Sequence, residues 1–273
     1  DERALGKLLR YLQALDLLAQ PEPGHYRLAA IGEVLTNEPT VDYLHPDGVS
    51  GREMLGIFGL TESIRTGRAA YASVTGRTFA GVRAEQDYED RYLERVAGFQ
   101  SALAVPIAQS ELLAGVKHLV IHSAGAGAQA RDFLADHPDL SITICALPAQ
   151  ADWLRRDLPD TIPDEQQRAR VTVAEQSVFE ASPAADTVLI VRSFKSLPDA
   201  DAVHALRRAA ENLLPGGRVL YVEETFDLDD LDEHHGEADL LGLAVHGSGL
   251  RTPDELAAVF SNAGLDRSTT HTV

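Results

Sequence analysis

From residue 115 onward, short apolar runs alternate with stretches of helical periodicity, and this alternation limits the fold more than any other feature of the chain. Runs at 118–122, 141–147, 170–173, 187–191 and 218–222 read as buried strands, separated by helical stretches such as 129–136 and 199–214. Pro215, Gly216 and Gly217 make a stop after the second of these, and Thr252 with Pro253 opens a helix that ends at Gly264. Strands joined by helices of this length pair in parallel through right-handed crossovers. We therefore expect an α/β domain with a mostly parallel sheet, whose ligands sit beyond the carboxyl ends of the strands.

The first half reads differently. Leu5, Leu8, Leu9, Leu12, Leu15 and Leu18 fall at helical spacing over 4–18, followed by a turn through Pro21, Pro23 and Gly24 and an extended run at 25–28. Helix, turn and short strand suggest a winged-helix-like module. Residues 51–114 are mostly helical and carry Phe58, Tyr71, Phe79, Tyr88, Tyr92 and Phe99, an aromatic set that serves either as core or as the wall of a ligand cavity. The expected organisation is thus 1–50 as a winged-helix-like or dimerisation segment, 51–114 as a helical cavity segment and 115–273 as the α/β domain.

Charge narrows the partners. With 42 acidic against 24 basic residues the net charge is −18, which repels phosphate backbones and anionic lipid surfaces; neither nucleic acid nor membrane is an expected partner. The winged-helix-like module is accordingly assigned to packing. One cysteine, Cys145, excludes an internal disulfide framework and a thiolate-rich zinc site. His234 and His235 beside Asp232 and Glu237 match no metal-ligand spacing, so they are read as a surface loop and no metal is expected, while 227–232 reads as a solvated acidic loop. No signal peptide or spanning segment is visible, which suggests a cytoplasmic protein.

Several stretches together resemble the plant and actinobacterial small-molecule O-methyltransferases, including those that tailor aromatic polyketides. They are Leu8-Leu9-Arg10-Tyr11-Leu12, Gly24-His25-Tyr26-Arg27-Leu28, the run from Leu214 to Glu223, and Arg251-Thr252-Pro253-Asp254-Glu255-Leu256. The resemblance implies a class I methyltransferase-like (Rossmann-like) sheet, a small-molecule substrate, a homodimer, and S-adenosylmethionine (SAM) as cofactor.

The positions that hold SAM in the family are altered. Its acid and glycine-rich turn correspond to His122-Ser123-Ala124-Gly125-Ala126-Gly127-Ala128, with His122 at the acid and Ala124, Ala126 and Ala128 at patterned glycines. Glycine permits positive φ and close ligand approach. The ribose-binding acid aligns with Ala146, the Gly-Asp pair near the adenine with Glu175-Gln176, and the basic residue at the methionyl end with Val191, beside Arg192. Hydrogen bonds to charged groups are worth roughly 1.5–3 kcal/mol each. Losing two or three costs about 4–8 kcal/mol, against about 8 kcal/mol for micromolar binding. On this reasoning no cofactor is expected.

The family's catalytic histidine aligns with Lys195, and one flanking carboxylate with Glu223; the second aligns with Leu250. Lys195 with Glu223 can act as base, proton donor or enolate anchor, or Lys195 is a solvated loop lysine. His246 borders the family's substrate cavity and is either acid–base or structural. The candidate catalytic set is Lys195, Glu223 and His246, with Phe58, Tyr92, Phe99 and Arg192 at the substrate. The expectation is a SAM-independent tailoring enzyme that cyclises, isomerises, eliminates or hydrolyses a polyketide-like molecule. A genuine SAM-dependent O-methyltransferase and a non-catalytic partner subunit are the alternatives.

Overall fold

The computed structural model describes residues 1–265 and 269–270; the last part of the expected 115–273 domain thus lies partly outside the described residues. The chain divides into two compact units, Asp1–Leu55 and Gly56–Val273. In the first, α1 (Glu2–Ala14) is opened by Asp1, whose carboxylate accepts from the Ala4 amide at 2.8 Å. The helix stops four residues short of the expected end, and Asp16 adopts φ 57° just beyond it. Residues expected to finish the helix and turn instead form β1 (Leu18–Glu22), which pairs antiparallel with β2 (His25–Leu28) around Gly24 at φ 81°. Pro21 is compatible with this two-stranded edge, where a missing N–H costs little. The short helices α2 (Ala30–Val34), α3 (Glu38–Leu44) and α4 (Val49–Met54) complete the unit.

The second unit begins with helices α5 (Leu60–Thr66), α6 (Tyr71–Thr75), α7 (Phe79–Arg83), α8 (Gln86–Ser101) and α9 (Ala104–Ala108). The expected alternation follows: β3 (His118–His122), α10 (Ala126–Asp136), β4 (Ser141–Ala146), α11 (Pro148–Thr161), α12 (Glu165–Arg168), β5 (Val171–Glu175), β6 (Ala185–Val191), α13 (Asp199–Ala210), β7 (Leu213–Val222), α14 (Glu233–His246) and α15 (Pro253–Asn262). The five strands run in the order β5-β4-β3-β6-β7 and every neighbouring pair is parallel.

Alternating side chains explain why both faces of this sheet are covered. Leu119, Ile121, Ile142, Ile144, Leu189 and Val191 pack with Ala130, Phe133 and Leu154 of α10 and α11. Val120, Cys145, Val188 and Ile190 pack with Ala202, Leu206 and Val259 of α13 and α15. Each fully buried branched side chain contributes about 1.5–3 kcal/mol, so the strand sequences alone commit the sheet to two helical layers. Between β3 and β6 the strand order reverses, the point at whose carboxyl edge sheets of this kind place their ligands.

Pro215-Gly216-Gly217 is not a stop before a strand. β7 runs through it as a bulge, its register shifting between Ala185↔Leu213 and Thr187↔Arg218. Gly216 takes φ 81°, and a Cβ on Gly217 would fall 2.8 Å from the Leu214 carbonyl and 2.9 Å from that of Asp186. The left-handed backbone therefore explains Gly216 and backbone crowding explains Gly217.

Candidate active site at the carboxyl edge of the sheet

The turn after β3 is held by one side chain from α8. Gln100, 6% exposed, accepts through Oε1 from the Ser123 hydroxyl at 2.6 Å and the Gly125 amide at 3.0 Å, and its carbonyl accepts from Gln129 at 3.2 Å. None of Ala124, Ala126 and Ala128 has a positive φ. Ala126 and Ala128 lie in the first turn of α10, and the Ala126 methyl is buried in the core beneath it. Ala124, Gly125, Gly127 and Ala128 also line a cleft of about 310 Å³ with Trp153 and Asp157 of α11. The alanines therefore neither strain the turn nor fill it.

Side chains at the ends of the central strands are less polar. His122 is buried at the end of β3, its Nε2 3.1 Å from the Ser182 hydroxyl, and burial pulls its pKa down to about 4. Ala146 ends β4 and is buried. Gln176, just beyond β5, donates to the Ala181 carbonyl, and its amide oxygen lies 3.6 Å from Cys145 Sγ. The Glu175 carboxylate at the end of β5 meets Arg155 at 2.7 Å.

The charged groups gather beyond β6 and β7. Glu223 is half-buried and accepts from the Tyr221 hydroxyl at 2.8 Å and from the Glu224 amide at 3.1 Å. Burial holds its carboxyl above the usual carboxylate range, opposed by those two bonds and by the positive charges of Lys195 and Arg192. Tyr221 is fixed by ring contacts with Phe194 at 5.3 Å and Phe260 at 5.9 Å, and burial beside Glu223 pushes its phenol up. Lys195 is exposed on the loop between β6 and α13. Arg251, 5% exposed, braces that loop by donating to the carbonyls of Phe194 at 3.0 Å and Leu197 at 2.6 Å and to Asp199 at 2.9 Å.

Sequence reasoning placed Lys195, Glu223 and Arg192 in one site, and the structure brings these three within electrostatic reach of one another. The His246 ring is edge-on to Phe79 at 5.4 Å. Phe58 and Phe99 are 76% and 69% exposed, and Tyr92 stacks on Tyr88 with the Arg83 guanidinium 4.0 Å above it. Tyr221 and Arg251 escaped notice. The period-2 spacing of Tyr221 and Glu223 was a usable signal for the first; nothing in the sequence tells that Arg251 reaches back over fifty residues. His234 and His235 are not in a loop but in the first turn of α14, where His235 Nδ1 meets Asp232 at 2.6 Å and its Nε2 lies 3.7 Å from Glu224.

Residues 58–266 match the O-methyltransferase domain family. Over 99% of its length the chain is 31% identical to the 2,7-dihydroxy-5-methyl-1-naphthoate 7-O-methyltransferase of Streptomyces carzinostaticus, covering 81% of that enzyme. It is 28% identical, over 96% of its length and 72% of the relative, to the aclacinomycin 10-hydroxylase RdmB of Streptomyces purpurascens. Among solved structures it superposes with a TM-score of 0.86, at 27% identity and covering all of this chain and 83% of the other, on the O-methyltransferase NcsB1 from neocarzinostatin biosynthesis in complex with S-adenosyl-L-homocysteine (SAH) and 1,4-dihydroxy-2-naphthoic acid. A second NcsB1 structure, with SAM and 2-hydroxy-5-methyl naphthoic acid, gives 0.84 at 28% identity.

These likenesses overturn the expectation of a cofactor-free enzyme that cyclises, isomerises, eliminates or hydrolyses. The neighbours are methyltransferases solved with SAM or SAH. The expectation counted lost side-chain hydrogen bonds and altered glycines, yet none of the alanines at 124, 126 and 128 sits in the left-handed region and the cleft beside them is open. The residues present fit the cofactor through this turn and the first amides of α10, which no side chain caps; what has changed is the set of side chains at His122 and Ala146. The sheet order, the turn after β3 and the match along 58–266 together establish that this chain belongs to the O-methyltransferase domain family.

Proposed function

We propose that the protein is a SAM-dependent O-methyltransferase acting on a hydroxyl of an aromatic, polyketide-type small molecule. The observation that carries this reading is the likeness along 99% of the chain to a naphthoate O-methyltransferase, together with the superposition on a relative solved with SAH and a dihydroxynaphthoic acid. Residues 123–127 and the start of α10 would hold the cofactor, which supplies an electrophilic methyl group when bound. The chain's own task is to orient the hydroxyl and take its proton.

Glu223 suits the proton acceptor. A carboxylate raised by burial is a stronger base than one in water, and Tyr221 keeps one of its oxygens in place. Burial is what turns a lysine into a base, and Lys195 is exposed. Lys195 therefore serves as electrostatic anchor for the oxyanion left when the proton moves to Glu223. The role of substrate wall stays with Phe58, Tyr92 and Phe99, and His246 acts as support through Phe79. The division into 1–50, 51–114 and 115–273, a homodimer and a cytoplasmic location belong to the same reading. α1 supports the dimer, with Leu5, Leu8 and Tyr11 exposed along it and Leu15 exposed at its end.

The test is incubation with SAM and a panel of hydroxylated naphthoic acids, followed by mass spectrometry for a methylated product and stoichiometric SAH. Release of SAH without a product gaining one methyl group, or no SAH from any member of the panel, would reject the assignment. A product gaining oxygen instead would move the protein towards the activity named for the hydroxylase relative.

A further inference from the structure

Arg192 stands immediately past β6 with φ 47° and, with Asp16, is one of two non-glycine residues in the left-handed region among those described. A side chain pays sterically for that conformation, and such strain collects at functional positions. Here the backbone is locked by the Arg192 amide, which donates to the Val222 carbonyl at 2.8 Å, so the turn directs the guanidinium out over the carboxyl edge of the sheet. One nitrogen, Nη2, meets Glu224 Oε2 at 2.6 Å. No other acceptor meets this guanidinium among the described residues, although it carries five N–H donors in a planar fork. Its side chain is 31% exposed, and its charge also acts on Glu223. Lys195, acting on Glu223 from the neighbouring loop, has no hydrogen-bonding or ion-pair partner among the described residues. Two cations with spare donor capacity thus flank one carboxylate in a chain whose net charge is −18.

The geometry points to a carboxylate-binding subsite at Arg192, adjoining the Glu223–Lys195 pair. Glu224 fixes one branch of the fork and leaves the rest to grip both oxygens of a ligand carboxylate, the arrangement in which arginine surpasses lysine. An aromatic acid with its hydroxyl beside its carboxylate would place the first group at Glu223 and the second at Arg192. The methionyl end of the cofactor offers the same chemistry, and that source rests on the methyltransferase reading, whereas the aromatic acid does not.

Titration calorimetry separates them with two pairs of probes, each differing by a carboxylate: 1-hydroxy-2-naphthoic acid against 1-naphthol, and SAH against 5′-methylthioadenosine, which also lacks the amino group. The wild type should prefer the acid member of the naphthalene pair by about tenfold or more. Arg192→Met should abolish that preference and Arg192→Lys should keep part of it. Loss confined to the naphthalene pair assigns the subsite to substrate, and loss confined to the nucleoside pair overturns it, because Arg192 then serves only the methionyl end of the cofactor. No preference in the wild type, or one that Arg192→Met leaves intact in both pairs, overturns the proposal. Added salt provides a check that needs no variant: it should weaken the preferred acid member selectively, and equal weakening of both members would count as refutation. Failure of methyl transfer alongside an Arg192-dependent preference for the naphthoic acid would sink the proposed function and leave the subsite standing.

Discussion

Tyr221 and Glu223 sit two residues apart at the end of β7, and the phenol donates to the carboxylate at 2.8 Å while two aromatic rings hold it in place. The bond favours the ionised form of Glu223, whose pKa burial otherwise raises. A base must be ionised to work, so activity is present above its pKa. Tyr221→Phe removes a lowering contribution, and the acid limb of the pH–rate profile should move to higher pH with the plateau rate reduced less. An acid limb at the wild-type position would remove Glu223 from the role of base.

Glu223→Gln should reduce kcat by about 10²–10⁴-fold, the usual worth of a positioned acid–base group. It should also stabilise the fold at neutral pH. A carboxyl whose folded pKa is raised contributes stability that is present below its unfolded value and lost as pH rises through the folded one. The amide carries no charge to desolvate, so the difference in urea midpoint between variant and wild type should widen from acid to neutral pH. A variant uniformly less stable would contradict this.

His122 gives the opposite slope. Its folded pKa of about 4 lies below the roughly 6.5 of a free imidazole, so the unfolded chain binds the proton first and stability falls as pH drops through that window. The full loss is on the order of 3 kcal/mol. His122→Asn should flatten thermal stability between those pH values; an unchanged slope would show that some other group carries it.

Replacing Ala146 by aspartate should raise affinity for SAH by about tenfold, the worth of one charge-assisted hydrogen bond. The cost falls on stability, because Ala146 is 3% exposed at the rim of the core. Calorimetric affinity equal to wild type in a folded variant would show that the end of β4 does not border the nucleoside.

Arg251 provides a test of loop bracing. Arg251→Met removes charge-assisted bonds to the carbonyls of Phe194 and Leu197, which keep only the Leu197 amide and the Ser248 hydroxyl, and should cost about 3 kcal/mol in urea unfolding. Arg251→Lys should recover little, since an ammonium cannot span the same acceptors. Full recovery by lysine would reduce the role to charge alone.

The α/β alternation was legible because runs such as 187–191 are apolar on both faces, and only a sheet covered twice accommodates them. Thr252 announced its helix as plainly, and a capping box with Glu255 is present. The hairpin at 18–28 was hidden because its first strand carries on the leucine spacing of α1, and periodicity does not say where a helix stops. Lys195 and Glu223 could be paired from their places at two strand ends. The turn after β3 was misjudged because residue types were read as conformations: alanine there signals loss only if the backbone is left-handed, and it is not. Contacts such as Arg251 to Phe194, fifty-seven residues apart, exist only once the sheet has closed.

Gln100 binds the end of α8 to the turn after β3 through both its amide and its carbonyl, with too little room for even a methyl group at Gly125. Helix and turn consequently travel as one body. A shift of either one would break these bonds, so the loop where the nucleoside would rest is tied to the position of α8.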